Sequence, residues 1–237
     1  MIRFVIVTPG RSGSTFLAKS LNQHAEVNCE QEIFNRSVHT PGSFNAFIAS
    51  RIIYRFIGFF FNRERLSTSL LNLPLKWLIK QFLHLCSDAN KIYGFKISLD
   101  QLFAYPQLLK FLAEYKIIYL TREDKQRMVL SLLTARQTGN YESFSGEKVT
   151  LNPALVKDQL YELLGWEKLC LEKFPNVLYL TSENLFSNSE ATFEKIQNHL
   201  GLSNQIMPIK STKTHPDSIS EWIENYAEIE NYLQSDA

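Results

Sequence analysis

Apolar positions along this chain follow two alternating patterns. Short, β-branched runs at residues 2–8 (IRFVIVT), Lys91–Ile97 (KIYGFKI), Lys116–Thr121 (KIIYLT) and Asn176–Thr181 (NVLYLT) read as strands, and their near-continuous hydrophobicity suits burial on both faces. Stretches with helical spacing lie between them. One begins at Phe16-Leu17-Ala18-Lys19-Ser20-Leu21; longer ones cover Gln126–Thr138, Leu155–Lys173 and Ala191–Leu200, the last stopped by Gly201 in the position of a C-cap. This alternation predicts an α/β fold, a mainly parallel sheet flanked by helices, in a single domain over residues 1–237.

Residues 40–90 depart from the pattern. They are helical in periodicity but unusually aromatic, with Phe56, Phe59, Phe60, Phe61, Trp77 and Phe82 interleaved with arginines and lysines. We read them as a helical insertion that forms a lid over the site. Within it, Phe44, Phe47, Ile52 and Phe56 fall near one helical face, which either binds a lipid or polyketide chain or a partner, or packs on the core. Arg51 and Arg55 interrupt this most apolar window, so it does not have the roughly 20 largely uncharged residues of a spanning helix, although peripheral membrane contact stays open. The N-terminus reaches Pro9-Gly10 too soon for a secretory signal, which points to a cytoplasmic protein.

Composition narrows the function classes. With 25 basic and 24 acidic residues the net charge is +1, which argues against nucleic acid as a partner. Cys29, Cys86 and Cys170 are odd in number and widely spaced, as buried thiols of a reducing compartment would be, with no Cys/His ligand run. The five histidines read mostly as surface groups.

The candidate chemistry begins at Thr8-Pro9-Gly10-Arg11-Ser12-Gly13-Ser14-Thr15, between a predicted strand and a predicted helix. Free backbone N–H groups and the helix dipole favour an anion there. Ser12, Gly13, Ser14 and Thr15 allow close backbone approach and add hydroxyl donors, while Arg11 supplies a forked cation. The loop is P-loop-like but is not GxxxxGK(S/T), because Ser14 stands where the lysine belongs. The strands also end in Ser98, Arg122 and Ser182, with no aspartate for magnesium, so the donor is one handled without metal. A plain Gly/Ser turn is the competing reading.

Three blocks resemble the sulfotransferases that use 3′-phosphoadenosine 5′-phosphosulfate (PAPS), particularly a bacterial branch that includes nodulation-factor and glycolipid sulfotransferases. TPGRSGSTFLAKSLNQH (8–24) is similar to the family's 5′-phosphosulfate loop. KIIYLTREDKQRMVLSLLTARQTG (116–139) is similar to its 3′-phosphate site, with Arg122 and Ser131 as the ligands. EQEIFN (30–35) resembles the segment that supplies a glutamate base. YGFKIS (93–98) is similar to the strand whose lysine approaches the transferring group, and residues 200–226 look like the branch's C-terminal end.

The resemblance implies transfer of a sulfuryl group to an acceptor hydroxyl, small-molecule or lipid-like, with 3′-phosphoadenosine 5′-phosphate (PAP) as product and no metal. Glu32 would be the base, with Glu30 as local competitor, and Lys96 and Arg11 would stabilise the departing phosphate. Ile33 and Phe34 would desolvate Glu32. Arg122 follows a buried strand and so lies on the sheet rim that binds ligands in open α/β folds, though an ion pair with Glu123 or Asp124 competes as its role. Ser131 stands nine residues on, one more than is common in the family. Lys213, with Lys210 and Ser211, lies in a polar loop that would close over the 3′-phosphate or else is a solvated turn. A P-loop kinase or a non-catalytic nucleotide binder would share the first loop alone.

Overall fold

The structure, a computed structural model, describes residues 3–32, 91–104, 107–141, 146–206 and 218–235. The insertion at 40–90, Ile33, Phe34, Cys86 and the Lys210–Ser211–Lys213 loop lie outside them.

Among the described residues, five parallel strands form one sheet: β1 (Arg3–Thr8), β2 (Val27–Glu32), β3 (Ile92–Ser98), β4 (Lys116–Thr121) and β5 (Leu178–Thr181), in the order β2-β3-β1-β4-β5. Helices cover it: α1 (Ser14–Leu21), α2 (Leu99–Ala104), α3 (Gln107–Leu112), α4 (Lys125–Thr138), α5 (Pro153–Lys173), α6 (Ser182–Ser187), α7 (Ser189–Leu200) and α8 (Tyr226–Gln234). The parallel sheet flanked by helices agrees with the sequence reading. β1 is apolar from Phe4 to Val7 because it sits at the centre and serves two cores. Val5 and Val7 face a cluster with Phe95, Ile97, Tyr119 and Trp222, and Phe4 and Ile6 face another with Leu17, Leu21, Ile118 and Phe193.

Element ends follow their caps. α4 starts one residue before the predicted Gln126, because Asp124 accepts from Arg127 N–H, and it stops at Gly139 with φ 71°. α5 starts at Pro153 because the Asn152 side chain accepts from Ala154 N–H and proline suits a first helical position. β5 begins at Leu178, two residues later than the apolar run.

β2 was absent from the sequence reading, which took 30–35 only as a motif. It is an edge strand of six residues, four of them polar, so neither alternation nor hydrophobic run stands out. His24 is an exception to the reading of the histidines as mostly surface groups. It is 1% exposed, Nδ1 accepts from Glu26 N–H at 3.2 Å, and Nε2 therefore carries the hydrogen that meets the Ser203 carbonyl at 2.9 Å. A histidine in a helix-end context is indistinguishable in sequence from an exposed one; the partner residue lies 179 positions away.

The strand order places the site. From β1 the chain crosses toward β2 on one side, and from β4 toward β5 on the other. The loops after β1 and β4 thus diverge over a crevice at the carboxyl edge, the switch point where such sheets hold ligands. On the β3 side, a Cβ at Gly94 would meet the Phe4 ring at 2.2 Å, so only glycine lets that ring lie on the β3 backbone.

Candidate functional site

The loop after β1 is shaped by three left-handed residues, Gly10 (φ 89°), Arg11 (φ 55°) and Gly13 (φ 81°). Glycine adopts this region freely, whereas at Arg11 it costs on the order of 1 kcal/mol. Thr8 Oγ1 and Ser12 Oγ lie 2.5 Å apart, and Gly10 N–H donates to Thr8 Oγ1 at 3.2 Å, which ties the loop back onto the strand end. Gly13 supplies no side-chain cap to α1, so the first-turn N–H groups at Ser14 and Thr15 face the crevice as an anion seat. A Cβ at Gly13 would also press on the Phe186 ring at 3.1 Å.

Toward β2, three sequence-assigned residues meet. Lys96, 5% exposed, donates to Thr15 Oγ1 at 3.0 Å and pairs with Glu32 Oε1 at 2.9 Å. Burying an ammonium in an apolar strand demands such partners, and here both belong to the site. A bulge brings Glu32 there. β2 runs in register as Cys29↔Gly94 and Glu30↔Phe95, then Glu32, not Gln31, pairs with Lys96. Glu30 shares its row with Phe95, whose ring belongs to the opposite core, while Glu32 shares the row of Lys96. Of the two glutamates, Glu32 is the one that shares the strand row of Lys96 on the loop's side.

Toward β4, Arg11 crosses the crevice. Its Nε donates to Ser131 Oγ at 3.0 Å and NH1 donates to the Tyr141 carbonyl at 2.5 Å. Burial, and next the charge of Arg122, push the Arg11 guanidinium below its ordinary value, so the two arginines of distant loops share one electrostatic environment. Ser131 is 4% exposed on α4, which makes its nine-residue spacing from Arg122 compatible with the site.

Arg122 pairs with neither Glu123 nor Asp124, as the sequence had left open. Its Nε lies 3.5 Å from Glu183 Oε1, an ion pair without hydrogen-bond geometry. Glu183 Oε2 instead accepts from Glu123 N–H at 3.0 Å and from Ser182 Oγ at 3.1 Å. Glu123 accepts from Thr181 Oγ1, and Asp124 caps α4.

Gln101 and Glu183 escaped the sequence reading. Gln101 left a signal, a long polar side chain between Leu99 and Leu102 on the buried side of a short helix; Glu183 left none, since a lone carboxylate opening a helix is common. Lys213 lies outside the described residues. Among the described residues, no group of three or more His, Cys, Asp or Glu is placed to hold a metal ion, and no helix is long and apolar enough to cross a membrane.

A family model described as "Sulfotransferase family" matches residues 4–205. No curated protein matches the chain significantly. Among solved structures, mouse sulfotransferase SULT7A1 complexed with PAP shares 14% identity at a TM-score of 0.47, covering 100% of this chain and 65% of its own. A sulfotransferase from Alicyclobacillus acidocaldarius shares 16% identity at 0.46, covering 99% of this chain and 95% of its own. Retinol dehydratase in a complex with retinol and PAP shares 15% identity at 0.37, covering 86% of this chain and 61% of its own. The chain thus spans slightly less than two thirds of the mouse protein's length.

Proposed function

The chain belongs to the sulfotransferase family, and on that premise we propose that it moves a sulfuryl group from PAPS to an acceptor hydroxyl, with Glu32 as the base. One observation carries the reading. Lys96 touches the first turn of the anion-binding helix through Thr15 and the proposed base through Glu32, at 3.0 and 2.9 Å. A single cation therefore joins the position of the leaving phosphate to the position of the attacking hydroxyl, as in-line transfer needs.

The residues fit the donor's two anionic ends. Ser12, Gly13, Ser14 and Thr15 would hold the 5′ end at the α1 N-terminus. Arg122 and Ser131 would hold the 3′-phosphate, with Arg11 reaching toward them from the loop. An anion between Arg11 and Arg122 would relieve their mutual repulsion. When bound, PAPS supplies the activated sulfuryl group. Glu32 takes the proton of the acceptor hydroxyl as the oxygen–sulfur bond forms. Lys96 stabilises the negative charge left on the phosphate oxygen when its bond to sulfur breaks. Lys213 remains a candidate for the 3′-phosphate by its place in the sequence.

The chain is read as a single domain with 40–90 as an acceptor-site lid, in a bacterial-type, cytoplasmic enzyme. The aromatic face at Phe44–Phe56 supports an amphiphilic acceptor: a glycolipid, another lipid-like or polyketide metabolite, or a carbohydrate carried on one. Sulfation of small polar hydroxyl compounds only, never an amphiphile, removes the lipid part.

Calorimetric titration with PAP and with ATP, on wild type and Arg122→Ala, tests the donor. PAP should bind far better than ATP, and the substitution should cost about 2–3 kcal/mol, a loss of about 30- to 150-fold. Equal binding of both nucleotides by both proteins overturns the assignment, and magnesium-dependent ATP turnover replaces it with a kinase or hydrolase.

A further inference from the structure

Gln101 stands at the start of α2, three residues beyond the end of β3, and is 9% exposed. Ser98 N–H donates to its Oε1 at 3.3 Å. A backbone N–H is only a donor, so the oxygen end of the amide must face Ser98 and the nitrogen end must face away. That nitrogen donates to Glu32 Oε2 at 3.3 Å. Glu32 Oε1 is taken by Lys96 at 2.9 Å. Each carboxylate oxygen thus has its own partner, one from β3 and one from the turn that β3 leads into, and the plane of the carboxylate is set between them.

We infer that Gln101 is a positioning residue for Glu32: its backbone-anchored amide presents an N–H to the carboxylate, fixing its orientation and favouring its proton-accepting, ionised form. The inference rests on Glu32 serving as the base. Two features make the amide suited to the task. A hydroxyl or lysine at 101 could rotate to another partner, whereas this amide is keyed by a main-chain donor that cannot turn round. The bond also occupies a single one of the carboxylate's about four lone-pair sites.

The reading is testable without knowing the acceptor. In protein labelled with 13C at glutamate Cδ, the Glu32 resonance is identified by its loss in Glu32→Gln and followed against pH in wild type, Gln101→Met and Gln101→Leu, all with PAP added. Removing the N–H donor withdraws stabilisation from the charged form, so the Glu32 titration should move upward by roughly half a pH unit or more in either variant. The rest of the glutamate resonances should stay in place, which a merely structural lesion would not allow. An unmoved Glu32 titration in a variant whose melting temperature matches wild type overturns the role of Gln101. Calorimetry with PAP on the same samples separates the two readings: PAP that fails to bind wild type defeats the donor assignment, while the Glu32 titration still decides Gln101.

Discussion

The two sides of the crevice are built on opposite electrostatic plans. Toward β2, one ammonium and one carboxylate are paired at 2.9 Å, with the neutral groups of Thr15 and Gln101 bonded to them. Toward β4, Arg11 and Arg122 disfavour each other, and the Glu183 carboxylate sits 3.5 Å from Arg122 without hydrogen-bond geometry. A paired ammonium and carboxylate fit the proposed proton transfer. Two arginines that disfavour each other fit the proposed bisphosphate, whose charge would offset theirs.

The sharpest way to break this contrast is Glu32→Gln. Loss of the base should lower turnover, read as PAP released from PAPS with an acceptor present, by about 10²- to 10⁴-fold. PAP affinity, a property of the other side, should hardly change. Unchanged turnover would transfer the role to Glu30 or elsewhere, and lost PAP affinity would merge two regions held here to be separate. A smaller effect is expected from Ser131→Ala, which removes one hydroxyl from the arginine side. PAP should bind roughly fivefold more weakly in calorimetry, the worth of one hydrogen bond, with kcat retained. Smallest is Glu183→Gln. The amide can still accept from Glu123 N–H and Ser182, yet no longer offsets Arg122, so PAP should bind about two- to threefold more tightly at low salt. Weaker binding would mean that Glu183 orients Arg122 more than it competes with phosphate.

The contrast also marks what sequence alone could convey. The β1 loop and Arg122 could be placed because each adjoins a strand whose apolar run announces itself, and the carboxyl edge then follows from topology, whereas Lys96 was marked by the resemblance of its strand. Helix ends at Asp124, Asn152 and Gly201 carry local caps and came within one or two residues. β2 was opaque: a polar edge strand has no period to read, and the bulge that selects Glu32 over Glu30 is visible only against its partner strand. Gln101 and Glu183 depend on contacts 69 and 60 positions away, Gln101 with Glu32 and Glu183 with Glu123, and no local pattern encodes these. The buried His24 failed for the same reason.

The irregularity at Gln31 has a wider bearing. By absorbing one residue it divides β2 into two lengths of opposite parity, the first answering to the core through Val27 and Cys29, the second to the crevice through Glu32. Substitutions that repack the first length need not turn the carboxylate, and a strand shortened by loss of Gln31 would still deliver glutamate to the row of Lys96. The edge of the sheet can therefore vary in length and composition while the reactive group keeps its address.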